Sequence, residues 1–109
     1  MSDFKTGQLL RIFVNDRDMW RGRPLYGAIV EMLRAEHVAG ASVFRGIEGF
    51  GSNRTIHVAK IWSVGQNLPV LVEVVDDEAK IEALIPRLEE MIAEGAMTLE
   101  RVEYRRFSR

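Results

Sequence analysis

Apolar residues recur along the chain with two different spacings. A period of two is typical of a β-strand, and a period of about 3.6 is typical of a helix with one buried face. In order along the chain, the pattern predicts strand, helix, strand, strand, helix and strand. The predicted strands are Gln8–Asn15, about Ala41–Glu48, Val70–Val75 and Thr98–Phe107.

Two segments carry apolar residues at helical spacing, and the first follows Pro24, which suits a first helical turn because its missing N–H needs no partner there. Its apolar positions are Leu25, Ala28, Ile29, Met32 and Leu33. The second segment follows Asp76 and Asp77, which we expect to cap its amino end. Its apolar positions are Ile81, Leu84, Ile85, Leu88, Met91 and Ile92. Pro86 falls inside this stripe, so we expect a kink or an early first segment there.

This order of elements predicts a ferredoxin-like α+β fold. In that βαββαβ arrangement, four strands form an antiparallel sheet and two helices cover one of its faces. The 109 residues contain no low-complexity stretch that would act as a linker. We therefore expect a single domain over residues 1–109.

The second face of the predicted sheet is too apolar to lie in water. If Leu10, Ile12 and Val14 contact the helices, the remaining strand positions face the other way. Those positions are Leu9, Arg11, Phe13, Leu71, Glu73, Val75, Arg101, Glu103 and Arg105. We expect a homo-oligomer packed through this face. Its charged residues Arg11, Glu73 and Glu103 would then satisfy each other at a subunit contact.

Composition and charge exclude several classes of protein. An apolar fraction of 47% with 28% charged residues is ordinary for a globular chain, and no apolar run approaches the roughly 20 residues that span a bilayer. The absence of cysteine excludes disulfides and thiolate chemistry. A net charge of -1 gives no general attraction to nucleic acid or to anionic lipid. The amino terminus has no secretory pattern, so a cytoplasmic location is expected.

A glycine-flanked turn and a long polar loop form the candidate binding segment. The turn, Gly49-Phe50-Gly51, either exposes backbone amides to a ligand or lets the chain bend sharply. The loop that follows, residues 52–67, is longer than most loops without a function. Its donors and cations, which suit an anion, are Ser52, Asn53, Arg54, Thr55, His57 and Lys60. Neither metal-ligand spacing nor a nucleophilic triad is recognisable, so no metal site and no catalytic set are predicted.

The segment before the first helix is basic and aromatic. Its residues of this kind are Arg17, Trp20, Arg21 and Arg23. Such a segment could stack on a nucleotide and neutralise it. Asp16 and Asp18 weaken its positive field, however, and we predict that Trp20 packs against the first helix.

Several separated blocks resemble the PII-like proteins, which are trimeric regulators. The blocks that resemble PII are Ala39-Gly40-Ala41-Ser42-Val43, Gly49-Phe50-Gly51, and Leu68-Pro69 before a Val-Glu-Val-Val strand. Further blocks resemble the PII-like branch known as DUF190, a domain of unknown function. These are Trp20, Gly22, Pro24-Leu25-Tyr26, Arg45-Gly46-Ile47, His57 and Val74-Val75-Asp76. The resemblance covers nearly the whole chain, from Leu10 to about Tyr104.

The resemblance implies a homotrimer that binds effectors, typically adenine nucleotides, in clefts between subunits near the base of the loop 52–67. The candidate ligand-binding residues are Gly49, Phe50, Gly51, Ser52, Asn53, Arg54, His57, Arg105 and Arg106. The two arginines resemble in position the basic residues of the last PII strand. PII proteins also wrap phosphates with a glycine-rich, lysine-containing turn, whereas residues 93–98 of this chain contain one glycine and one acid.

The sequence therefore predicts a non-enzymatic PII-like regulatory protein that binds a small anionic effector, with an adenine nucleotide as one candidate. The resemblance further suggests a membrane transporter, such as a fluoride exporter, as the partner of the loop 52–67. Neither a nucleic-acid partner nor insertion into a membrane is expected. Two alternatives stay open: a small enzyme that uses the same cleft but lacks a nameable catalytic set, and a ligand-free structural interaction module.

Overall fold

The computed structural model describes residues 3–51, 54–59 and 67–107. In chain order its elements are β1 (Lys5–Asn15), β2 (Met19–Trp20), β3 (Arg23–Pro24), α1 (Leu25–Ala35), β4 (Ala41–Arg45), β5 (Glu48–Gly49), β6 (His57–Val58), β7 (Pro69–Asp76), α2 (Glu78–Met91) and β8 (Ala96–Tyr104). The six long elements follow the predicted order βαββαβ. The short strands β2, β3, β5 and β6 were not predicted.

Four strands form one antiparallel sheet in the order β4-β7-β1-β8. β1 pairs with both β7 and β8, and β7 also pairs with β4. The short strands form two separate ladders, β2 with β3 and β5 with β6. The ferredoxin-like α+β fold predicted from the hydrophobic pattern is confirmed.

The core lies between one face of this sheet and the two helices. Its sheet side consists of three paired positions of β1 and β7: Leu10 with Val74, Ile12 with Val72, and Val14 with Val70. Its helix side consists of Leu25, Ile29, Met32 and Leu33 of α1 and of Ile81, Leu84 and Leu88 of α2. Because the buried strand residues are alternate ones, both helices lie on the same face of the sheet.

The helix ends agree with the sequence prediction only in part. α1 begins directly after Pro24, as expected. The Asp77 side chain makes no capping hydrogen bond to α2, so that prediction is wrong. The Asp76 carboxylate accepts hydrogen bonds from the backbone N–H groups of Ala39 at 3.1 Å and Asp77 at 2.7 Å, and thereby ties the end of β7 to the chain after α1. Pro86 lies inside one continuous helix, so no separate first segment forms.

Neither helix reaches the dimensions of a membrane span. Within residues 3–51, 54–59 and 67–107, no helix is long and apolar enough to cross a bilayer.

β4 is shorter than predicted because the chain turns at Gly46. The N–H of Gly46 donates to the carbonyl oxygen of Pro69 at 2.7 Å, and β4 ends one residue earlier, at Arg45. Glu48, which was predicted to end this strand, lies in β5 and pairs with Val58.

The second face of the sheet, here called the open face, is covered by neither α1 nor α2. Its central residues are Leu9, Arg11 and Phe13 of β1 and Leu71, Glu73 and Val75 of β7. Glu100 of β8 lies opposite Leu9, so Arg101 and Glu103, which were predicted on the open face, lie on the helix side instead. Arg105 lies beyond the end of β8. This prediction was wrong by one position because β8 is largely exposed on both faces, and a strand without a buried face does not fix its own register.

An ion-pair cluster lies at the centre of the open face. The Arg11 guanidinium contacts the Glu73 carboxylate at 3.0 Å and also bonds to Glu100. Arg11 and Glu73 pair within one chain, and Glu100 takes the place predicted for Glu103. The hydrogen bond to Glu73, followed by that to Glu100, raises the pKa of Arg11.

Candidate functional site

A cavity of about 490 Å³ lies at the end of the sheet where β1 finishes and where β7 and β8 begin. Four parts of the chain form its wall: the end of β1 with the turn after it, the base of the loop 52–67, the start of β7, and the turn before β8. Its lining includes Gly49, Phe50, Gly51 and His57, which are four of the predicted ligand-binding residues.

Hydrogen bonds between two segments fix one wall of the cavity. The Asp16 N–H donates to the Leu68 carbonyl oxygen at 2.9 Å, and the Leu68 N–H donates to the Asp16 carboxylate at 3.0 Å. The Asn15 side-chain amide donates to the Asn67 carbonyl oxygen at 3.2 Å, and the Asn15 N–H donates to the Asp18 carboxylate at 3.0 Å. These bonds hold Asn15, Asp18 and Asn67 at the cavity before any ligand arrives.

The base of the loop packs against Pro69. A Cβ atom at Gly46 would lie 2.6 Å from Pro69 Cγ, and one at Gly49 would lie 2.9 Å from the same atom. Glycine is therefore required at both positions by close packing. Among the described residues, no atom outside its chain neighbours would lie within 4 Å of a Cβ atom at Gly51. Of the two glycines that flank Phe50, only Gly49 is therefore restricted by close packing.

The β5–β6 ladder brings His57 to the cavity. Gly49 pairs with His57, and the Ala59 N–H donates to the Ile47 carbonyl oxygen at 2.7 Å. The side-chain nitrogen of Asn67 lies 3.0 Å from His57 Nε2. An amide NH₂ group donates, so this contact is a hydrogen bond in the tautomer whose Nε2 atom accepts.

The turn between α2 and β8 closes the cavity from the other side. At its centre, Gly95 has a φ of 153°, and a Cβ atom there would lie 2.5 Å from the Phe13 carbonyl oxygen. This glycine serves the close approach of the turn to β1. It is not one of several glycines in a phosphate-binding turn, which agrees with the departure from PII seen in residues 93–98.

The described part of the cavity wall combines carboxylates with a larger apolar surface. Asp18 and Glu94 contribute carboxylates, and no lysine or arginine lines the cavity within the described ranges. Phe13 and Phe50, which are 39% and 62% exposed, provide apolar surface. Such a wall suits a small molecule with a flat ring and several hydrogen-bonding groups. A phosphate chain would depend on backbone N–H groups and on cations from elsewhere.

Arg105 and Arg106 lie at the opposite end of the sheet from the cavity. They follow Tyr104, the last residue of β8, whereas the cavity contacts Ala96, the first residue of that strand. A strand of this length spans about 26 Å at about 3.3 Å per residue. Arg106 donates a hydrogen bond to the carbonyl oxygen of Val75. Within one subunit, these two arginines and the glycine turn do not form one site.

Three further contacts fix this tail. The Arg105 guanidinium lies 3.3 Å from the Asp3 carboxylate and 5.2 Å from the centre of the Phe107 ring. The Arg106 guanidinium lies 5.1 Å from the centre of the Tyr104 ring.

Some predicted site residues are not part of the described wall. Ser52, Asn53 and Lys60 lie outside the described residues. Arg54 is exposed, has a φ of 63°, and donates its N–H to the Gly51 carbonyl oxygen at 2.9 Å. In the described part of the chain, no three histidine, aspartate or glutamate side chains converge to form a metal site.

Sequence reasoning missed Asn15, Asp18 and Asn67 as cavity residues because they belong to no recognisable motif. The order of the strands in the predicted sheet could have identified these three residues. β1 and β7 are antiparallel neighbours, so the residue after β1 must lie beside the residue before β7. The residues around each strand end could therefore have been grouped with the glycine turn.

Comparison with known proteins agrees with this geometry. The DUF190 family, described as Uncharacterized ACR, matches residues 7–104. This chain belongs to the DUF190 family. A UPF0166 protein of Aquifex aeolicus is 35% identical to this DUF190 chain over 96 residues, which cover 88% of the chain and 90% of the relative. The UPF0166 protein MJ1524 of Methanocaldococcus jannaschii is 33% identical over 92 residues, or 84% of each protein.

Solved structures share the fold of this DUF190 chain. A candidate PII-like signaling protein of Thermus thermophilus, TTHA0516, has a TM-score of 0.68 at 19% identity and covers 95% of this chain and 94% of its own. CPII of Thiomonas intermedia, a nitrogen regulatory PII-like protein bound to ADP, AMP and bicarbonate, has a TM-score of 0.66 at 13% identity, with 94% and 92% covered. The predicted resemblance to the PII-like fold and its DUF190 branch is confirmed.

Proposed function

We propose that this DUF190 protein is a regulatory protein that binds a small effector in the cavity beside Gly49, Phe50 and Gly51. The observation that carries the proposal is the cavity itself, which lies at the base of the loop 52–67 and has a wall held in place by hydrogen bonds of the chain. A ligand in this place can favour one arrangement of the loop over another, provided that it binds one arrangement more tightly.

Adenine nucleotides and bicarbonate are the first effectors to test. They are bound by CPII, which has the same fold. The wall of this chain favours small effectors over long phosphate chains, because the Asp18 carboxylate would repel a triphosphate more strongly than a monophosphate. We therefore expect AMP or another small anion to bind better than ATP.

A homotrimer packed through the open face completes the proposal. Half-buried Leu9, Leu71 and Val75 form an apolar surface there that a second copy would cover. Assembly would also allow Arg105 and Arg106 of one subunit to approach the cavity of another, which their position within a single subunit prevents. The cavity would then lie in a cleft between subunits.

The loop 52–67 is the proposed contact with a partner protein. Its base is attached to the cavity wall through the β5–β6 ladder. A ligand in the cavity would therefore affect the loop conformation that the partner binds. A membrane transporter, such as a fluoride exporter, remains the candidate partner that the PII-like resemblance suggests.

The test is a thermal-shift screen with AMP, ADP, ATP and bicarbonate, followed by calorimetry. A true effector at about 100 times its Kd should stabilise the protein by about 2.7 kcal/mol. Phe50→Ala should weaken binding of a nucleotide at least about tenfold, because a base–aromatic contact contributes about 1–3 kcal/mol. The matched control is Phe4→Ala, which removes another exposed phenylalanine that does not line the cavity.

Three results would contradict the proposal. They are the absence of any stabilising compound, equal loss of binding in both variants, and chemical turnover of the bound compound. The last result would identify a small enzyme.

A further inference from the structure

The hairpin before α1 has a conformation that displays its arginines. Met19 pairs with Pro24, and Trp20 pairs with Arg23. The two residues between them, Arg21 and Gly22, have φ values of 48° and 82°. Two successive positive φ values are typical of the tight turn of a two-residue hairpin.

Trp20 acts as a platform for Arg21. The indole ring is half-buried and packs against the hydrophobic core, which fixes its position. The Arg21 guanidinium lies 4.7 Å from the centre of that ring. A stacked guanidinium keeps its in-plane N–H groups free, and these groups match the two oxygens of a carboxylate. The predicted packing of Trp20 is thus compatible with a binding role for its neighbour.

Asp16 and Asp18, which flank Arg17, contact other parts of the chain. The Asp16 side chain is 8% exposed; it accepts a hydrogen bond from Leu68 and lies 3.8 Å from Arg45. The Asp18 carboxylate accepts a hydrogen bond from the Asn15 N–H and lines the cavity. Both carboxylates therefore take part in the fold, and the Asp16 charge has Arg45 as a counter-ion outside the hairpin.

Three arginines belong to this part of the chain: Arg17 comes just before the hairpin, and Arg21 and Arg23 lie in it. Arg17, Arg21 and Arg23 are exposed, and within residues 3–51, 54–59 and 67–107 no carboxylate forms an ion pair with any of them. Met19 beside them is 59% exposed and adds an apolar contact. We propose that residues 17–23, which comprise the hairpin and the two residues before it, are a docking surface for an acidic segment of a partner protein, with an apolar side chain of that segment placed against Met19.

The size of the charged patch favours a protein segment over a nucleic acid or a membrane. Three cations within one short hairpin match a few carboxylates on an extended peptide. A duplex or an anionic bilayer would also meet the flanking surface of a protein whose net charge is -1. The three arginines and Met19 do not line the cavity, so this proposal does not require an effector.

Fluorescence anisotropy with labelled ten-residue peptides tests the proposal. The probes are glutamate-rich peptides with one leucine at varied positions, and the control peptides carry glutamine for every glutamate. We expect the full-length protein to bind a glutamate peptide at low ionic strength and to lose affinity as salt is added. Arg21→Gln combined with Arg23→Gln should raise the Kd about fivefold to tenfold.

A charge-matched variant and a local reporter give the control. Arg34→Gln combined with Arg101→Gln removes the same charge from two exposed sites away from the hairpin and should change the Kd less than about twofold. In a Trp62→Phe background Trp20 is the sole tryptophan, so its emission should change when a glutamate peptide binds. Equal binding of the glutamine peptides, or equal loss in both double variants, would overturn the proposal. So would hairpin-dependent binding of phosphatidylserine vesicles or oligonucleotides without binding of any glutamate peptide.

Discussion

The two faces of the sheet both carry bulky apolar residues at alternate strand positions, but they differ in how deeply those residues are buried. On the helix face, Leu10, Ile12 and Val72 are fully buried within the chain. On the open face, the neighbouring residues are only half-buried, and Phe13 remains 39% exposed. Bulky residues thus occupy both faces, but a single chain covers only one of them.

The charged residues sharpen this difference. The helix face is purely apolar at its centre, whereas the open face has Arg11 between Glu73 and Glu100. The side chains of Arg11 and Glu73 are 33% and 31% exposed, so water still reaches the pair in one subunit. A second copy that covered this face would find the charges already paired, which lowers the cost of burying them. The open face therefore has the composition of an interface.

The largest effect should come from shortening a residue of the helix face. Leu10→Ala removes a fully buried side chain and should lower the free energy of unfolding by about 2–5 kcal/mol. Leu9→Ala makes the same change one residue earlier on the open face and should cost about 1 kcal/mol in dilute protein. Urea unfolding followed by circular dichroism measures both. If the oligomer forms through the open face, only the Leu9→Ala cost should grow with protein concentration. Equal costs in dilute solution would contradict the difference between the faces.

A charge placed on the open face should affect assembly more than folding. Leu71→Asp puts a carboxylate beside Glu73 and should reduce the mass measured by light scattering from that of a trimer to that of a monomer. The circular dichroism spectrum should stay unchanged. Arg34→Asp, at an exposed position of α1, serves as the control and should keep the trimer mass. A wild-type protein that is monomeric at all concentrations would refute the proposed assembly.

Removing the Arg11 side-chain charge should weaken assembly less than Leu71→Asp does. Arg11→Met leaves Glu73 and Glu100 without their shared cation, so association should weaken about tenfold. The double variant Arg11→Met with Glu73→Met should recover part of this loss. Sedimentation equilibrium measures both constants. If the Arg11–Glu73 pair remains exposed to water in the assembled protein, each variant should instead change the association constant by less than about fivefold. Added salt should then abolish the difference between variant and wild type.

The fold could be predicted from the sequence because β1, β7 and both helices have a clear buried side. Leu10, Ile12 and Val14 alternate with half-buried residues, and this alternation fixes which side faces the helices. β8 has no such signal, because its residues are at least partly exposed on both sides. Its register is set by contacts distant in sequence, including the approach of Gly95 to the Phe13 backbone. Arg101 and Glu103 were therefore assigned to the wrong face.

The candidate site was less predictable than the fold. The glycine turn and His57 stood out because their residue types are distinctive and close together in sequence. Asn15, Asp18 and Asn67 became visible only when the ends of β1 and β7 met. The separation of Arg105 and Arg106 from the cavity also follows from topology, because the two ends of β8 lie at opposite ends of the sheet. The family resemblance assigned Arg105 and Arg106 to the same ligand-binding site as the glycine turn, but it gave no information on the distance between them.

The smallest predicted effect concerns Tyr104 at the edge of the open face. Its hydroxyl donates a hydrogen bond to Asp77, and this bond, followed by desolvation of the ring hydroxyl, raises the pKa of Tyr104 above its ordinary value of 10.0. The folded state therefore holds the tyrosine proton more tightly than the unfolded state. Stability from this bond is complete below the unfolded pKa and is lost as the pH rises through the folded pKa. Urea unfolding at about pH 8 and at about pH 10.5 should show a greater loss at high pH for the wild type than for Tyr104→Phe. Tyr26→Phe should leave the wild-type loss largely in place, and parallel losses in all three proteins would show that the Asp77 bond does not stabilise the fold.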